Sequence, residues 1–323
     1  MAGTLRALRR RILTPNPKAV LMTERGFHIK NADSAALLEQ IGGTFLTGYA
    51  HAAEARTIAD AEEGLEQIPV RFRGFAYEGA GMGFTIRDGL PIGGSHHFAD
   101  FLAGRAKNHE YMAWVGLGWG LARLPRFRWR RFTCEDPLMR WLVLDGYGFH
   151  QAFFKTDSYV RQQYREPHFP WPGGEHAWYA PRAIDQGIGR AMWFVCGTDP
   201  DLVADTFESF ALDRRADLYA GAGLAATYAG GVDEAELRRF WQRAGEYQPQ
   251  VAQGAAFAGT ARYEADLVVP HTELALNVFC GMTARESAEL CDKARPSGDE
   301  GRVPAYEVWR QQISEAVAAR PRS

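Results

Sequence analysis

The sequence predicts a mainly α-helical protein, built of internally repeated helical units packed into one globular domain. Apolar residues recur at helical spacing along most of the chain, and no stretch shows the sustained alternation of a half-buried strand. An acid followed by GxG occurs in EGAGMGF at Glu78, in DGYGFHQAFF at Asp145 and in DQGIGRAMWF at Asp185. Small-residue segments accompany these motifs: VGLGWGLARL from Val115, AGAGLAATYA from Ala220 and AQGAAFAGTAR from Ala252. The shared spacing suggests a duplicated unit, with pseudo-repeats over about 32–140, 141–231 and 232–294 inside one domain, 1–323, that has extensions at both ends.

Taken in order, Thr4 to Leu13 reads as a short basic helix that TPNPK stops, because proline lacks a donor and restricts its predecessor. Leu37, Leu38, Ile41, Phe45 and Leu46 mark a helical repeat that opens an alanine-rich segment from Ala32 to Ala61, read as two helices, and a third runs from about Ile58 to Gln67 before Pro69. FRGFAYEGAGMGF opens the first acid-glycine unit, read as a turn, which breaks at RDGLPIGGS. From His96 to Leu124 the pattern is helical, and Gly116, Gly118 and Gly120 there either permit close packing or mark a break. Each would weaken an isolated helix by about 1 kcal/mol relative to alanine. Met139 to Lys155 is aromatic enough to be deeply buried. The proline-rich REPHFPWPGGEHAWYAPR is a loop, too apolar for a linker, and reads as a packed lid or cross-connection. Asp199-Pro200 starts an amphipathic helix, Asp233 caps the next ahead of Glu236, and Pro249 interrupts the segment beyond that helix. Val251 to Ala265, the stretch from Val268 to Lys293, and VWRQQISEAVAA complete the helical pattern.

The chain has 323 residues, enough to bury a substantial core, and a formal net charge of -2, which does not suggest a nucleic-acid binder. The basic run PRFRWRR is either a solvated loop or a docking site for an acidic carrier or a phosphate-bearing substrate. Four well-separated cysteines read as reduced thiols. With no signal-peptide pattern and no run long enough to span a bilayer, the expectation is a soluble, cytoplasmic protein without a membrane span.

GAGLAA has the spacing of a dinucleotide fingerprint, but the charged DRRADLY precedes it where an apolar strand is required, so close helix contact is the better reading. No metal is assigned: the histidines show no HExxH or other paired spacing, and a site assembled from distant positions is the alternative left. The cofactor is left open, including whether iron or another metal joins the site. The remaining chemistry lies in Glu78, Asp145 and Asp185, with His150 and Arg190 each five residues after an acid. If the units share an axis, these groups converge in a pocket walled by Tyr111, Trp119, Tyr147, Phe149 and Trp193. A carboxylate and a histidine there would have shifted pKa values suited to proton transfer. The competing structural reading makes each acid a helix cap and each arginine its partner. On that view the unrepeated His150 is the stronger catalytic residue.

The strings LRRRILTPNP, GFAYEGAGMGF, VGLGWGLARLP, LDGYGFHQAFF, DQGIGRAMWF and RRADLYAGAGLAATYAGG resemble a family of uncharacterised function found in enediyne polyketide gene clusters. The likeness runs from about Leu5 to Ala294. It implies a hydrophobic, polyene-like small molecule as ligand, with other enzymes of the cluster as further partners. The expectation that results is an accessory enzyme acting on a polyene- or polyyne-derived intermediate, by cyclisation or another core-forming step without a tightly bound organic cofactor. The alternatives are a non-catalytic scaffold that shields the intermediate, and self-resistance by sequestration. Substrate and oligomeric state are left open.

Overall fold

The computed structural model describes residues 14–91, 96–132, 134–171, 174–298 and 301–320, and among these no strand is present. The basic helix expected before Leu13 lies outside the described residues. The core consists of α1 (Ala32–Glu54), α2 (Val70–Gly89), α3 (Glu110–Arg123), α4 (Met139–Phe154), α5 (Ala180–Val195), α6 (Leu212–Ala229) and α7 (Gln248–Glu264). Each packs against the next in chain order.

The glycine motifs sit inside these helices, not at turns. Residues two apart on a helix are rotated by about 200°. The first glycine of each pair therefore faces the preceding helix and the second faces the following one. The contacts are reciprocal: Gly48 with Gly79, Gly81 with Gly116, Gly118 with Gly146, Gly148 with Gly187, Gly189 with Gly221, and Gly223 with Gly254. In every case a Cβ on one glycine would overlap the carbonyl oxygen of the residue three before its partner, as at Gly118 against Val143. Cα–H···O contacts of this kind contribute about 0.5–1 kcal/mol each, comparable to the helix propensity that glycine forfeits. The gain in dispersion from such close backbones tips the balance towards packing.

Neighbouring core helices point the same way. Gly79 meets the Phe45 carbonyl while Gly83, one turn later, meets that of Tyr49, and Gly81 meets Ala113 while Gly120 meets Thr85. A parallel pair needs a connection that runs back along the helices. Ile58–Glu66, His97–Ala103, Pro200–Glu208 and Glu234–Ala244 supply such returns. Their starts follow the sequence signals: Thr57 and Asp233 form capping boxes, and Asp199 accepts from the Asp201 and Leu202 amides. Pro249 interrupts nothing. It occupies the first turn of α7, where its missing N–H has no helical partner to lose.

The array curls into a ring. Phe75 of α2 packs edge-on against Tyr228 of α6 at 5.1 Å, and Arg262 of α7 donates to the Arg71 carbonyl at the start of α2. Ahead of and at the start of α1, His28 donates to the Val195 carbonyl and Ser34 to that of Gly231. A further helix, α8 (Ala305–Ala318), inserts against α5, α6 and α7. Its Arg310 donates to Asp217, Glu307, Tyr179 and Gln253, while Arg182 holds Asp217 from the other side at 2.8 Å. Of the basic run, Arg126 pairs with Glu166 and lies over the Trp129 and Phe169 rings, so this arginine is part of a packed corner.

Candidate functional site

Counting from the first glycine of each pair, the positions four before, one before, three after and seven after form one helical stripe that faces the ring's interior. On α3 these are Met112, Val115, Trp119 and Arg123; on α4 they are Leu142, Asp145, Phe149 and Phe153. With Phe45 and Ile41 of α1, Phe75, Glu78 and Met82 of α2, Arg190 and Phe194 of α5, and Tyr228 of α6, they line an apolar cavity that opens at one mouth. Rings line it almost continuously. Phe45 and Trp119 lie 4.5 Å apart, and Trp119 and Phe149 lie 5.0 Å apart.

Three polar side chains meet in this wall. Arg190 donates to Asp145 through Nη1, and its Nη2 lies 3.5 Å from Glu78 Oε1, which also accepts from Trp119 Nε1 at 3.0 Å. The guanidinium lies over the Phe149 ring at 5.2 Å. Each of the three residues is almost fully buried. Burial drives the Glu78 carboxyl up to about 7, with Arg190 opposing the shift and Asp145 adding to it. Burial likewise raises Asp145 against the pull of Arg190. Burial pulls Arg190 down, but the two acids outweigh it and hold the guanidinium above its ordinary value. Two carboxyls and one guanidinium are neutral only when they hold one further proton. Glu78 carries that proton at the pH where it can still be exchanged. Beside them the buried Tyr228 hydroxyl has no hydrogen-bond partner among the described residues and rests against Gly74.

The structure thus brings together Glu78, Asp145 and Arg190, with Tyr111, Trp119 and Phe149 on the same lining. It separates the other expected residues from them. Asp185 is two residues before Gly187, and Gln186 occupies the position equivalent to Glu78 and Asp145. The one-residue offset turns Asp185 away from the cavity, where Arg214 grips both its oxygens at 2.6 and 3.0 Å. Tyr147 faces that same outer crevice. Trp193 is fully buried outside the cavity, with Nε1 donating to the Gly230 carbonyl and its ring against Phe240. His150 stands behind Trp119, edge to face at 5.6 Å, and does not line the cavity. Burial drives its imidazole down to about 3, so it is neutral near pH 7. None of the three acids caps a helix, since all lie in mid-helix. Phe45, Phe75, Arg123 and Tyr228 went unidentified from sequence, although the stripe set by each glycine pair points to them.

Among the described residues no group of three or more His, Cys, Asp or Glu side chains is arranged to hold a metal ion. Among those residues, too, no helix is long and apolar enough to cross a membrane.

A ring of parallel helices around an apolar, aromatic cavity with one charged cluster in its wall defines a helical protein with the features of a small-molecule site. The chain belongs to the DUF1702 family, described as a protein of unknown function, whose family model matches residues 4–317. No curated protein and no solved structure matches it.

Proposed function

We propose that this protein binds a long, apolar, conjugated molecule in the ring cavity and moves a proton on it. In this reading it is an accessory enzyme that forms or tailors the core of an enediyne polyketide from a polyene-derived intermediate. The observation that carries the chemistry is the Glu78–Arg190–Asp145 cluster, which holds one exchangeable proton in an otherwise aromatic wall. The resemblance of LRRRILTPNP and the glycine-rich strings to proteins of enediyne clusters supports the biosynthetic setting.

Glu78 gives its proton to one carbon of the conjugated system, and a carboxylate of the pair takes a proton from another. The outcome is an isomerised or cyclised product at the same oxidation level. Arg190 keeps both carboxyls in place and balances their charge as the proton moves. His150 has no part in this step, because Trp119 lies between it and the cavity.

The test is to delete the gene in its host, identify the accumulating compound by mass spectrometry, and supply it to the purified protein in heavy water. Glu78→Gln should abolish deuterium entry into the product while leaving the compound bound. If Glu78→Gln and Asp145→Asn both restore production in the deleted host as fully as the native gene, the protein shields or carries the intermediate instead.

A further inference from the structure

Arg123 lies seven residues past Gly116, at the last turn of α3, where its exposed side chain forms part of the cavity lining at the mouth. Among the described residues its guanidinium donates no hydrogen bond and forms no ion pair. Its charge is felt by Tyr49 on α1 and His150 on α4, so it sits between those helices at the end of the cavity where α4 finishes with Phe153 and Phe154. Arg190, the other cation on the lining, is committed to Asp145 and Glu78. A guanidinium at the rim of a low-dielectric cavity attracts an anion strongly, and its planar fork matches a carboxylate through two parallel hydrogen bonds. The wall between this rim and the buried cluster is hydrocarbon and aromatic. Trp119, one turn deeper on the same stripe, leads from Arg123 to Glu78, a path on the order of 6–12 Å.

We propose that the ligand is an amphipathic acid, whose terminal carboxylate is seated on Arg123 and whose linear conjugated chain passes over Trp119 to reach Glu78. This rests on the reading of the cavity as the site of a long apolar molecule, and adds the head group and the direction of entry. Arg123 is then a specificity-determining residue: it selects a chain with an anionic end and sets which carbons lie beside Glu78.

The test uses cis-parinaric acid, a linear conjugated tetraene acid that fluoresces on entering an apolar site, alongside its methyl ester, which has the same chain without the charge. At a pH where the acid is ionised, the native protein should bind the acid about tenfold more tightly than the ester, equivalent to about 1.4 kcal/mol. Arg123→Ala should remove that preference and leave ester binding unchanged, which also reports that the cavity is intact. Arg123→Lys should restore part of the preference. Equal binding of acid and ester by the native protein, or equal weakening of both by Arg123→Ala, overturns the assignment. Glu78→Gln should bind the acid as the native protein does. Turnover lost without loss of Arg123-dependent binding would separate the proton-transfer step from the head-group anchor, and failure of the native protein to bind either probe would overturn both.

Discussion

On the α2 and α4 side of the ring, the residue before the first glycine is Glu78 or Asp145, and it faces open cavity. On the α5 and α7 side the same position holds Gln186 or Gln253, and each is hydrogen-bonded to α8. Both sides bury carboxyls, but the charge arithmetic differs. Against α8, Asp217 and Glu307 meet Arg182 and Arg310, with Tyr179 and two glutamines satisfying what is left. Burial pushes the Glu307 carboxyl up, but Arg310 and Arg182 outweigh it and hold the group below its ordinary value, so it stays ionised and fixed. In the cavity, two acids share one arginine and Glu78 is raised to about 7. Matched charges staple a helix in place, whereas an unmatched one leaves a proton available for chemistry.

The sharpest way to break this contrast is Arg310→Met, which leaves Asp217 and Glu307 short of a cation in a dry interface. We expect a loss of about 3–5 kcal/mol in urea unfolding. A loss below about 1 kcal/mol would show that α8 is not held by this network.

The cavity cluster should show itself through pH. Glu78 has a folded pKa near 7, above its ordinary 4.5, so the native state keeps a proton that the unfolded chain releases. Its contribution is complete below pH 4.5 and is lost as pH rises through about 7, a change of roughly 3 kcal/mol. Unfolding measured across that window should show a slope that Glu78→Gln flattens. An unchanged slope would mean that the proton resides elsewhere.

Gln253→Glu turns the balanced network into an unbalanced one. It should destabilise the protein by about 1–3 kcal/mol near pH 8, and much less near pH 5, where the new carboxyl can stay protonated. Equal effects at the two pH values would argue that water reaches this side of the ring.

Gly118→Ala tests the helix contact itself. A methyl group there would overlap the Val143 carbonyl and the Tyr147 amide, backbone against backbone, so α3 and α4 must move apart at a cost of about 3 kcal/mol, offset by about 1 kcal/mol of better helix propensity. A melting temperature higher than that of the native protein would show that the α3–α4 contact does not need glycine.

Much of this protein is set by local pattern. Helical periodicity, Asp199 and Asp233 as caps, and the aromatic burial of α4 could be read directly, because these depend on residues within a few positions of one another. Glu78, Asp145 and Arg190 do meet, as the recurring motifs suggest, but the sequence groups Asp185 and His150 with them and offers no means of separating the two sets. Asp185 was misplaced because its motif has one extra residue before the first glycine, and a single step around a helix is about 100°. His150 and Trp193 look like site residues by composition, yet their orientation depends on what packs behind them.

By itself, then, the sequence determined the helical class and the local spacing of the glycines, since both arise from short segments, whereas packing decided that these glycines lie in mid-helix and meet across neighbouring helices. Only the tertiary structure decided that those helices run parallel and close into a ring, and that the terminal segment fills one side of it. It also decided that Arg310 finds Asp217 across 93 residues of chain. Such choices depend on which buried charges end up with a partner, and that balance exists only once distant segments share the same low-dielectric space.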